Sequence, residues 1–144
     1  MAKEFKRKIM PPIKTKIFII SPIRNASKEV LEAIKKYVAL KENEGCEVYW
    51  PYRDRDTDQN DPVGFRICFE NGRAIYRADE VHVWYEKGSE GSIFDSGMLF
   101  MASIIIGPEK KVVLINKDEV KPTDDKKGFN NVLLALSALN KKHP

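Results

Sequence analysis

Four short apolar runs, at residues 16–20, 47–50, 80–85 and 111–115, recur along the chain with longer stretches of helical periodicity between them. Few folds accommodate that alternation. Lys16-Ile17-Phe18-Ile19-Ile20 is rich in β-branched residues and stops at Ser21-Pro22. A strand that is apolar without alternation is buried on both faces, which is the habit of parallel sheets, and parallel strands need long crossovers. The segments between the runs supply them. From Ser27, a favourable cap, Val30, Leu31, Ile34, Tyr37, Val38 and Leu40 recur near the 3.6 period until Gly45. The polar segment 51–61 reads as a loop, and Asp61-Pro62 predicts a further helix with Val63, Ile67, Ala74 and Ile75 inward and Gly72 weakening its middle. A third helix opens at Ser92, with Met98 to Ile106 as a buried apolar stretch that Gly107-Pro108 ends; a lysine-rich loop at 117–128 precedes a last helix around Val132 to Leu139. The expected fold is α/β, a Rossmann- or flavodoxin-like three-layer sandwich on a parallel sheet of four to five strands. Right-handed crossovers place every strand's carboxyl end on one edge, so the loops at 21–27, 51–61 and 86–92 converge on a cleft there.

With 144 residues the chain fits one domain, here residues 16–144, behind a basic arm at 1–15. The formal charge is +4, yet residues 1–16 hold six basic side chains against Glu4, a net +5 that leaves the remainder at −1. The basic excess therefore belongs to the arm, and the folded body is not expected to bind nucleic acid. Cys46 and Cys68 lie 22 residues apart without a histidine or a Cys-x-x-Cys spacing, which offers no metal site and predicts a reduced, cytoplasmic protein. No apolar stretch is long enough for a signal-peptide core or a membrane span. Of the histidines, His82 alternates within a strand and His143 is penultimate, so both read as structural or solvent-facing.

Chemistry points to Gly91-Ser92-Ile93-Phe94-Asp95-Ser96-Gly97-Met98. The pattern places a carboxylate in the first turn of a helix that follows a strand, where open α/β sheets bind ligands and the helix's positive end favours the ionised form. It also fits a capping box in which Ser92 caps the helix and Asp95 reaches back to a backbone N–H. Together with Arg77-Ala78-Asp79-Glu80-Val81, the segment resembles the signature of the nucleoside 2-deoxyribosyltransferase-like family, a Gly-Ser/Thr-x-x-Glu-x-Gly run preceded by Ala-Asp at the start of the third strand. The resemblance covers about residues 16 to 116. It implies that Asp95 is the nucleophile at the sugar's anomeric carbon, that Ser92 is the neighbouring hydroxyl, and that Asp79 fixes the turn into its strand.

In the same way, Ser21-Pro22-Ile23-Arg24-Asn25-Ala26-Ser27 resembles the Gly-Ser-Ile-Arg loop of the branch that hydrolyses deoxynucleoside 5′-monophosphates, which makes Ser21, Ile23 and Arg24 substrate-binding residues, with the arginine and the following helix N-terminus on a phosphate. Arg24 equally suits a surface pair with a local acid. Tyr49, Trp50 and Tyr52 close the second strand, where one or two stack on a base and at least one belongs to the core. Asp54, Asp58 and Gln59 either read base edges or belong to a solvated loop. Three positions depart from the family: Asn71 stands where an aspartate is usual, Ser89 with Glu90 adjacent stands for another, and Asp95 is one methylene shorter than glutamate. Asn71, Ser89, Glu90, Gly91 and Ser92 complete the expected binding set.

The resemblance implies a glycosyl transferase or, with water as acceptor, an N-glycosidase, acting on a small nucleoside or nucleotide as a homodimer or larger assembly, with no cofactor. A nucleotide-binding or sensing domain that has lost efficient chemistry is the alternative, favoured by the three departures. A flavodoxin-like domain carrying a flavin or dinucleotide is a third, although no Gly-x-Gly-x-x-Gly follows the first strand.

Overall fold

In the computed structural model, which describes residues 13–55, 61, 63–124 and 127–139, the apolar runs form strands β1 (Lys16–Ile20), β2 (Glu47–Tyr49), β3 (Glu80–Val83) and β4 (Lys111–Leu114). All pair in parallel in the order β2-β1-β3-β4. The register aligns Phe18 with Tyr49 on one side and with Val81 on the other, and Val81 in turn with Val112. Five α-helices accompany them: α1 (Lys28–Asn43), the single turn α2 (Pro51–Asp54), α3 (Phe65–Arg77), α4 (Glu90–Phe100), which runs on into a π-helical stretch at Met101–Ile106, and α5 (Phe129–Leu139). This is a Rossmann-like α/β sandwich with four parallel strands.

Alternation along β1 builds the three layers. Ile17 and Ile19 meet Ile34 and Val38 of α1 on one face. On the other, Phe18 and Ile20 join Ile75 of α3, Leu99 of α4, and Leu133 and Leu136 of α5. Burying a side chain of this size stabilises the fold by about 1.5–3 kcal/mol, so the central strand, whose four apolar residues are all buried, anchors both cores. From β1 the chain passes to β2 on one side, then crosses back past β1 to β3 on the other, and this reversal of strand order opens the ligand crevice of such folds at the carboxyl ends of β1 and β3.

The opposite edge of the sheet is tied by polar groups. Asp79 accepts the backbone N–H of Lys16 at 2.8 Å and donates its own to the Lys16 carbonyl at 2.9 Å, the structural role expected of it. The buried Lys110 ammonium donates to the carbonyls of Tyr76 and Ala78, both at 2.7 Å, where α3 ends and a cation complements the helix dipole. Burial lowers its pKa. His82, as expected, is structural: its ring lies 2.6 Å from the Tyr37 hydroxyl and 3.0 Å from the Glu80 carboxylate, pinning α1 to the sheet. Desolvation holds His82 below its ordinary pKa and pushes Tyr37 up to about 12. His143 lies outside the described residues, as do residues 1–12 of the basic arm.

Several boundaries differ from those the sequence predicts. Strands β2, β3 and β4 end one or two residues sooner, although the Trp84 and Ile115 N–H groups still donate to the Ile20 and Val83 carbonyls, both at 2.8 Å. Residues 51–54 form a helical turn rather than loop, since Pro51 is preset for a first helical position. Helix α3 begins at Phe65 behind Gly64, although Asp61 still caps it by accepting the N–H groups of Arg66 and Ile67, both at 3.1 Å. Val63, outside that helix, is 85% exposed, and Asn71 takes a buried place beside Ile75 instead. Nor is Met98 to Ile106 wholly buried: Met101, Ile104, Ile105 and Ile106 face outward. No helix among the described residues is long and apolar enough to cross a membrane.

Candidate active site

The chain leaves β3 at Val83, turns at Gly88 with a left-handed φ of 87°, and enters α4 through Ser89. The Ser89 hydroxyl accepts the N–H of Ser92 at 3.4 Å and donates to the Ser92 hydroxyl at 2.9 Å. Ser89 is therefore the cap, three residues before the expected one, and the capping-box reading of Ser92 and Asp95 is set aside. Both serines can cap; the positive-φ glycine in front of Ser89 lets the chain turn there first. Asp95 consequently stands in the second turn, where the helix dipole has largely faded.

What surrounds Asp95 is α3. The Asn71 side chain hydrogen-bonds to it, and one residue further on, a Cβ added at Gly72 would stand 3.0 Å from the Met98 sulfur. The glycine thus permits the close crossing of α3 and α4 that brings amide and carboxylate together. Desolvation raises the Asp95 pKa from 3.8 to about 6, while the Asn71 hydrogen bond pulls it down. Burial overrides the expected preference for the ionised form, although at pH 7.5 the carboxylate still predominates. Asn71 is 6% exposed, and its Oδ1 has no hydrogen-bond partner, the one such buried side-chain atom among the described residues.

Two cavities lie nearby; Asn71 lines the first, and Asp95 lines neither. One, of about 250 Å³, is lined by Tyr49, Asp54, Arg55, Asp61, Glu70 and Asn71, between the end of β2 and the first turns of α3. The other, of about 430 Å³, lies on the far flank of α4, where Ser92 and Ser96 join Val83, Phe100, Leu133 and Leu136 in a mainly apolar wall. The expected single cleft is thus divided, because α4 turns Ser92 toward α5 and Asp95 toward α3.

The remaining expected residues are placed as follows. Ser21 is buried and accepts the Trp50 indole N–H at 3.1 Å, which joins the first loop to the second and commits its hydroxyl. Ile23 is half-buried and Arg24 exposed, just ahead of α1, whose cap is Ser27, bonded to the Val30 N–H at 3.1 Å as expected. Trp50 is the core aromatic; Tyr52, 47% exposed, lies on it with ring centres 4.9 Å apart, and Tyr49 stacks on Phe18. Asp54 is occupied by the Trp50 N–H and the Arg53 guanidinium, and Asp58 and Gln59 lie outside the described residues. Glu90 and Gly91 are exposed in the first turn of α4.

Asn116 escaped the sequence reading. Its side chain accepts the Tyr85 N–H at 2.8 Å and donates to the Tyr85 carbonyl at 2.7 Å, holding the exit of β3 that leads to α4. A polar residue directly after an apolar strand was the available signal, but such residues usually only begin a loop. Among the described residues no group of three or more His, Cys, Asp and Glu side chains is placed to hold a metal ion. No protein-family model and no curated protein matches the chain.

Proposed function

We propose that this chain is a nucleoside 2-deoxyribosyltransferase-like enzyme that cleaves the N-glycosidic bond of a (deoxy)nucleoside or nucleotide with Asp95 as nucleophile. The observation that carries the reading is a largely buried carboxylate, held by the Asn71 amide, near the carboxyl edge of a parallel sheet. Cleavage passes through a sugar with oxocarbenium character. A carboxylate at the anomeric carbon stabilises that charge, forms a C1′–O bond as the C1′–N bond breaks, and releases the base with the electron pair of that bond. Attack on C1′ by water then makes the enzyme a 5′-monophosphate N-glycosidase, and attack by a second base makes it a transferase. Because aspartate is shorter than glutamate by about 1.5 Å, one C–C bond, the sugar must approach the α4 backbone more closely.

The reading includes a second copy. No charged residue stands between Asp95 and Glu109, and Phe94, Met101, Ile104, Ile105 and Ile106 are exposed. Apolar surface on this scale suits an interface of roughly 800 Å² per partner.

Assay of free base released from nucleosides and their 5′-monophosphates tests the proposal. Asp95→Asn should lower release on the order of 10³-fold, as removal of a nucleophile does. Release unaffected by that substitution would remove the proposed chemistry. A nucleotide-binding or sensing domain with weak catalysis is the second reading, favoured by the commitment of the Ser21 and Ser89 hydroxyls to internal bonds. It predicts binding of the same compounds without turnover.

A further inference from the structure

Gly97 stands in the interior of α4 with no conformational need for it. Its φ is not positive, and a Cβ built on it would meet nothing within 4 Å, whereas one at Gly72 meets the Met98 sulfur. Glycine weakens a helix interior through its extra backbone freedom, so a glycine that relieves no contact in its own chain leaves room for something else. That room opens on the 430 Å³ cavity between α4 and α5, whose size is that of a small-molecule site. Its floor is the buried Val83, Leu133 and Leu136, and the Ser92 and Ser96 hydroxyls on its wall are engaged within α4, at 2.9 and 2.6 Å. What remains in the lining is chemically one-sided. Tyr85, Phe100 and Phe129 supply three aromatic rings, and the one charged group is the Glu86 carboxylate, which makes no hydrogen bond or ion pair with the described residues. Aromatic faces and a carboxylate attract charge of the same sign, a cation.

We infer that this cavity is a second ligand site, for an organic ammonium ion bearing an apolar group: the apolar group fills the space in front of Gly97, and Glu86 with the neighbouring rings holds the charge. The site lies on the flank of α4 away from Asp95 and does not depend on the glycosidic reading. A second copy, docked here through its residues 96–106, would bring no cation and would bury the Glu86 carboxylate unpaired, which is costly. An anionic ligand would meet the same carboxylate as repulsion.

Calorimetric titration of the full chain with three probes of similar shape tests this: 1-naphthylmethylamine in its ammonium form, neutral 1-naphthylmethanol and anionic 1-naphthoate. The expected result is saturable binding of the ammonium at a single site, about 10-fold tighter than the neutral probe, with the anion weakest. Glu86→Gln should bring the ammonium and neutral probes to near parity while the neutral one still binds. Gly97→Leu, which sets a side chain in the cavity, should abolish binding of both with a Tm at or above that of the unaltered protein, because leucine is the better helix former. No saturable binding of the ammonium probe to the unaltered protein, a preference that survives Glu86→Gln, or binding that survives Gly97→Leu overturns the inference, and the first of these needs no variant to fold. An ammonium probe that fails to bind, together with a dimer that Gly97→Leu converts to monomer in sedimentation velocity, assigns the cavity to a second copy and equally overturns it. None of these measurements reads release of base, so the fate of this site and that of the reading of Asp95 are separate.

Discussion

Burial pushes the Asp95 carboxyl from 3.8 to about 6, so the folded protein holds this proton more tightly than the unfolded chain does. The sign of the linkage follows. Below about pH 4 the group is protonated in both states and costs nothing; as the pH rises from about 4 to about 6 the unfolded chain ionises first, and stability is lost. Above pH 6 the penalty is complete, about 3 kcal/mol at most from a displacement of roughly two pH units. Asp95→Asn abolishes it and brings an amide whose N–H can meet the orphan Oδ1 of Asn71. Thermal denaturation should therefore show Asp95→Asn raising the Tm by about 5–10 °C at pH 7.5, with little change at pH 4. An equal shift at both pH values would show that ionisation is not the cause. The same displacement predicts that base release rises with pH through about 6 and then levels.

At the level of single elements, the crossing of α3 and α4 fixes the distance between amide and carboxylate. Gly72 makes it possible, and Gly72→Leu would drive a branched side chain against the Met98 sulfur, which a Cβ alone approaches to 3.0 Å. Overpacking of this kind costs about 1–3 kcal/mol, measurable as a lower urea midpoint at unchanged m; an unchanged midpoint would show that α4 can shift freely. The glycine's role was hidden in the sequence, where it registers only as a weak helix former. Strands were legible because apolar runs such as 16–20 have no other economical place, and α1 because Ser27 and Gly45 bracket a clear period. Less legible was the opening of α4, where Ser89 and Ser92 compete and only the backbone at Gly88 decides. The site was half legible: Asp95 and Asn71 were both singled out, yet their contact depends on the packing of two helices, which no local pattern encodes. Asn116 went unseen because its partner, Tyr85, lies 31 residues away.

For the molecule as a whole, the exposed apolar residues from Phe94 to Ile106 should join two copies. Sedimentation velocity is expected to show a dimer, and Ile105→Glu, on a side chain 64% exposed, a folded monomer. A monomeric unaltered protein would refute the pairing, whereas a dimer that persists in Ile105→Glu would move the interface elsewhere. The bonds of Asp79 to Lys16, and of Lys110 to the end of α3, all lie at the strand starts, away from the candidate site. Register and layer spacing are thus set at one pole, much as a hinge pin fixes a door whatever is painted on its free edge. Loops at the other pole can exchange side chains, and with them ligands, without renegotiating the fold. Divergence of activity within such a chain would accumulate there first, while changes at Asp79 or Lys110 would be felt as instability long before they were felt as altered chemistry.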